Sequence, residues 1–118
     1  MKYSIWKFDK TEFRVRLYPN RKQFLAYSRS IESNGKRFSG KGKAAYFMKF
    51  FYDPETFYEL VFYEQYFTID DISHEVGHML IEHFRQKDLL TEDEKEEAFC
   101  IYLGKIVSLI MDWKNKVI

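Results

Sequence analysis

Residues 68–84 read TIDDISHEVGHMLIEHF, and this stretch decides how the rest of the chain is read. On a helix, His74 and His78 lie one turn apart on one face, so their imidazole nitrogens can converge on a single metal ion. Glu75 projects beside them, placed to take a proton from a water held there. Ile72, Val76, Met79, Leu80 and Phe84 recur at helical spacing behind the histidines. That pattern predicts a buried helix from Ile69 to about Arg85 whose polar edge turns to a cleft. Thr68 with Asp71 three residues on resembles a capping start, and Gly77 suits close approach of a neighbouring helix. The bland alternative is two exposed histidines on an ordinary helix.

Upstream, Phe13, Val15 and Leu17 alternate with Arg14, Arg16 and Tyr18, the period of a half-buried strand, after a short strand through Ile5 to Phe8. Pro19 ends it. Asn20 with Gln23 marks a helix start, and Phe24, Tyr27 and Ile31 give an amphipathic helix from Arg21 to about Ser33, with a basic first turn that opposes the helix dipole. Ser33 to Lys43 holds three of the five glycines and reads as a loop. Ala44–Tyr52 and Phe57–Phe67 read as aromatic-rich strands joined by a tight turn at Asp53-Pro54-Glu55-Thr56.

Downstream, Thr91 and Glu94 form a capping box that opens a last helix to about Lys114. From Ala98 to Met111 it is apolar nearly all round, which predicts the most buried element of the chain. The whole is an α+β layout: a small mixed sheet with an early helix, then the histidine-bearing helix and a C-terminal buried helix.

The chain has 118 residues, 46% hydrophobic and 19% aromatic, enough for one domain with a real core, residues 1–118. Charge interrupts every apolar stretch before the roughly twenty residues a bilayer requires, so no membrane span is expected. Cys100 is the single cysteine, and the start lacks the pattern of a secretory signal, which together point to a cytoplasmic setting. Up to Tyr52 there are 13 Lys/Arg against 3 Asp/Glu, and from Asp53 onward 6 against 15, so a half of +10 adjoins one of −9. The basic N-terminal half would suit an acidic or nucleic-acid partner, although no nucleic-acid motif accompanies it and the charges can equally solvate the surface.

A catalytic zinc site takes three protein ligands and leaves one position for water. The acidic start of the last helix supplies candidates. Glu94 is committed to the cap. Glu97 heads a largely small-residue stripe, Cys100, Ile101, Gly104 and Ser108, along which another helix could come close, and Glu96 is the fallback. The acidic run also favours the helix dipole without any metal.

His74-Glu75-Val76-Gly77-His78, followed by Glu97-Ala98-Phe99 and then Gly104-Lys105-Ile106, resembles the gluzincins. It is most similar to small phage- and prophage-encoded zincin-like metallopeptidase domains with a Glu-Ala-x-Ala-Tyr-Leu-x-Gly segment. Cys100 and Ile101 stand where that segment has Ala-Tyr. The likeness spans His74 to about Ile110. It implies Zn2+ held by His74, His78 and Glu97, with Glu75 as general base, in a metallopeptidase acting on a peptide or protein substrate. Phe57–Phe67 is then the expected sheet edge against which an extended substrate would lie. No tyrosine is singled out as an oxyanion donor. The alternative function is a catalytically silent protein of the same fold, a phage or mobile-element factor that binds a protein or nucleic acid through its basic half.

Other signals carry less. Gly35 to Gly42 approaches a P-loop, but Gly42 stands where a magnesium-binding hydroxyl is needed, and the order helix, loop, strand is the reverse of the required one. His83 lies on the far side of the helix from His74 and His78 and reads as a packing or surface residue. Cys100 reads as a small core residue, and Trp6 and Trp113 as core anchors.

Overall fold

The alternation about Phe13 to Leu17 does form a strand, and it organises a four-stranded sheet. The computed structural model describes residues 1–33, 45–52, 55–85 and 87–118, with backbone alone at 31–33, 46–52 and 55. The glycine-rich loop, the P-loop-like stretch and the Asp53-Pro54 part of the expected turn lie outside the described residues. Two compact units appear, Met1–Thr68 and Ile69–Ile118. Across both, the described elements make an α+β fold with a mixed sheet. No described helix is long and apolar enough to cross a membrane.

In the first unit, β1 (Lys2–Phe8) and β2 (Thr11–Tyr18) form an antiparallel hairpin in which Phe8 pairs with Thr11. The two turn residues, Asp9 and Lys10, both have positive φ, 46° and 64°. This is the mirror-image turn whose twist matches that of the flanking strands. Aspartate tolerates the left-handed region; lysine is strained there. Lys10→Gly is therefore expected to raise stability by about 1 kcal/mol, read as a higher urea midpoint with unchanged slope.

A helix, α1 (Arg21–Ser33), follows, its start capped by the Asn20 side chain, which accepts from the Gln23 amide at 3.0 Å. Strands β3 (Ala45–Tyr52) and β4 (Glu55–Tyr63) pair antiparallel, and β4 lies parallel to β2, giving the order β1-β2-β4-β3. The parallel pair needs a long crossover, which α1 and β3 supply.

Because cross-strand partners share a face, Phe13, Val15 and Leu17 of β2 stand with Tyr58, Leu60 and Phe62 of β4, all buried. The opposite face meets α1, where Phe24 joins Tyr18, Val61 and Tyr63 in one cluster. Trp6 is half-buried and stacks on Phe13 at 5.6 Å between ring centroids. The last expected strand ends four residues early, at Tyr63, where Glu64–Tyr66 makes a single 3-10 turn before Phe67 packs back on Phe62.

The second unit is a pair of helices, α2 (Ile69–Arg85) and α3 (Glu92–Val117). The capping box forms as expected: Thr91 accepts from the Glu94 amide, and the Glu94 carboxylate accepts from the Thr91 amide. The expectation that α3 is the most buried element fails. Only Ile106 and Ile110 are buried, while Ile101 is 46% and Leu109 37% exposed. A 26-residue helix whose one partner in its unit has 17 residues cannot cover an apolar surface that runs all round it.

Candidate metal site

Helix α2 has the two-sided character read from its sequence. Ile72, Val76, Met79, Leu80 and Phe84 are buried, while His74 and His78 stand on the exposed face. Asp70 and Asp71 in the first turn and Arg85 in the last complement the helix dipole. His83 is buried and packs edge-on against Phe84, as a packing residue would.

The two imidazoles of the motif converge. Their Nε2 atoms lie 3.1 Å apart, with ring centroids 4.6 Å apart and planes at 83°. Two nitrogens each about 2.0–2.1 Å from a tetrahedral zinc stand about 3.3 Å apart, so the pair fits a shared metal with little adjustment. Glu75 sits next to this pair at the flank of the buried arc and is only 7% exposed.

Glu97 is not brought to the histidines. Among the described residues no three His, Cys, Asp or Glu side chains stand together as a metal set. The first turns of α3 instead face the last turn and a half of α2 across a cavity of about 420 Å³. Its walls include Leu80, Phe84, Arg85, Glu92, Glu96 and Phe99. Glu96 thus lines that cavity, whereas Glu97 lies on the exposed face of α3 with Cys100, Ile101, Gly104 and Ser108.

The reading of that small-residue stripe as the packing face is therefore corrected. A methyl placed on Gly104 would meet nothing within 4 Å, and the same holds at Gly77, where close helix approach was expected. Cys100 is exposed as well, not a core residue. The side of α3 turned inward carries Phe99, Tyr102, Ile106 and Ile110: Phe99 lines the cavity, Tyr102 stacks on Phe84 at 5.9 Å, and the isoleucines are buried. Those residues also recur at steps of three and four. They remove far more apolar area from water than the small stripe would, which is why they win.

The expected substrate edge is corrected too. Strand β4 lies between β2 and β3, so both of its backbone edges are already paired; among the described strands the outer positions belong to β1 and β3.

Sequence reasoning missed one polar cluster in the first unit. Glu59 is 1% exposed and accepts a hydrogen bond from the Tyr27 hydroxyl, and Arg16 Nε stands 2.9 Å from Glu59 Oε1. That last contact pairs the charges without the alignment of a hydrogen bond. The Arg16 guanidinium lies over the rings of Tyr3 and Tyr27, each at 4.8 Å. A lone carboxylate in the otherwise apolar run Phe57 to Tyr63, beside a strand of alternating arginines, was the available signal. No family model, curated protein or solved structure matches this chain.

Proposed function

We propose that the chain is a zincin-like, zinc-dependent metallopeptidase, with His74, His78 and Glu97 as ligands and Glu75 as general base. The observation that carries this reading is the convergence of the two Nε2 atoms at 3.1 Å on an exposed helix face. The remaining support is the resemblance of the motif and of Glu97-Ala98 to the gluzincins. Glu97 rests on that resemblance alone, because the structure leaves it apart from the pair.

Zinc at such a site supplies a water acidified toward neutral pH and polarises the scissile carbonyl. The chain's own residues do the rest. His74 and His78 would hold the metal, and their i, i+4 placement orients both rings without any loop having to order. The Glu75 carboxylate accepts the proton of the attacking water and returns it to the leaving amine.

Zinc content of the purified protein after supplementation and dialysis tests this directly. One zinc per chain is expected, lost in His74→Ala and weakened at least tenfold in Glu97→Ala, as for loss of one of three ligands. Material that stays metal-free after supplementation removes the proposal. Unchanged affinity in Glu97→Ala removes that ligand alone. Zinc retained with no cleavage of a diverse peptide pool would favour the silent binding protein.

A further inference from the structure

The cavity of about 420 Å³ between α2 and α3, within the second unit, combines apolar walls with one uncommitted charge. Leu80, Ile81, Phe84 and Phe99 supply the walls; Leu80 and Phe84 are buried, and Phe84 is fixed by its stack on Tyr102. That volume is in the range of sites that take a small ligand or a side chain with its flanking backbone. Charged side chains complete the lining. Arg85 pairs with Glu82 at 3.4 Å, and Lys95 with Glu92 at 3.6 Å. Glu96 is left as the lining carboxylate with no ion pair among the described residues. From Ile69 to Ile118 there are 11 Asp/Glu against 6 Lys/Arg, a net of −5, so the field of this unit draws cations toward it.

We propose that this cavity takes the side chain of an arginine or lysine from a bound peptide, its methylene stem against the apolar walls and its charged head at Glu96. Such side chains are apolar along the stem and charged at the tip, which matches this lining. A purely apolar side chain would cover Glu96 without giving it a partner, and an acidic one would meet it as a like charge. A cation held over the ring of Phe84 or Phe99 gains further attraction, a guanidinium more than an ammonium. Arg85 and Lys95 do not cancel this preference, because each already has its own carboxylate. Ile81 continues the row of His74 and His78 along α2, about 4.5 Å beyond His78 in axial rise. The cavity therefore begins one turn from the histidine pair. Under the metallopeptidase reading, the basic side chain then belongs within about two residues of the bond cleaved, at ~3.3 Å per extended residue. Only that placement rests on the metallopeptidase reading; the cavity itself needs no metal.

Blocked alanine peptides with one central arginine, lysine, norleucine or glutamate, titrated to about 1 mM on the full chain stripped of metal, test the site without zinc. The arginine peptide is expected to bind about tenfold more tightly than the norleucine peptide, the combined scale of a half-open ion pair and a cation over a ring. Glu96→Gln should erase that difference while leaving the norleucine affinity and the helical circular dichroism unchanged. Glu96→Lys should turn the preference toward the glutamate peptide. Equal affinity for arginine and norleucine, no binding of any peptide, or an arginine preference that persists in Glu96→Gln overturns the proposal. With zinc restored, cleavage is expected within about two residues of the arginine. An arginine preference with no cleavage retires the metallopeptidase reading and leaves the cavity's assignment standing, whereas cleavage at positions unrelated to the arginine overturns the placement beside the scissile bond.

Discussion

Glu75→Gln is expected to retain zinc at the His74 and His78 pair and to lower peptide hydrolysis by about 10²–10⁴, the range associated with loss of a positioned general base. The substitution suits the position. Glu75 is nearly buried, and glutamine keeps its volume and its hydrogen-bonding oxygen while losing basicity, so the fold should be preserved. Measured side by side, zinc content and the rate on a peptide substrate separate the two roles in the motif: His74→Ala loses both, Glu75→Gln only the second. A Glu75→Gln protein that hydrolyses at the wild-type rate would mean the base is elsewhere. A wild-type protein that binds zinc yet cleaves nothing would place the chain with binding proteins.

The parts of the fold that local rules control were legible in the sequence. Helix α1 has the expected bounds, Arg21–Ser33, and α2 runs Ile69–Arg85 as its periodicity requires. The Thr91 capping box opens α3 where the Thr-x-x-Glu spacing places it. Strand alternation about Phe13 to Leu17 names the buried side correctly. What was not legible depends on which distant surface wins a contact. Nothing local to Phe57–Tyr63 says whether β4 is an edge or lies between two strands; that follows from β2 and β3 both pairing with it.

The candidate site divides along the same line. The convergence of His74 and His78 is a property of one helix turn and follows from their spacing. The position of Glu97 is a property of how α3 is rotated on α2, and two stripes at helical spacing competed for the inward side. The pattern of spacing is the same for both. Side-chain size breaks the tie, in favour of Phe99, Tyr102, Ile106 and Ile110.

Glu59→Ala is expected to destabilise the protein by about 3 kcal/mol or more, as found when one partner of a buried ion pair is removed. The carboxylate is fully inside, while the Arg16 side chain keeps 22% of its surface, so the arginine left behind is partly hydrated and the loss should lie toward the low end of that class. Burial draws the Arg16 pKa down, but Glu59 and the neighbouring tyrosine oxygens more than offset it, and the guanidinium stays charged. Burial also pushes the Tyr18 hydroxyl above its ordinary value, with Arg16 opposing, so a free arginine there would sit among groups arranged around a missing anion. Tyr27 loses its acceptor in the same step. The double variant Arg16→Met/Glu59→Met removes both charges and fills the space with apolar volume, and it should cost far less than Glu59→Ala or even stabilise by about 1 kcal/mol. Urea denaturation followed by far-ultraviolet circular dichroism gives all the values needed. A double variant as unstable as Glu59→Ala would show that the pair acts through its shape and hydrogen bonds rather than through the cost of an unmatched charge.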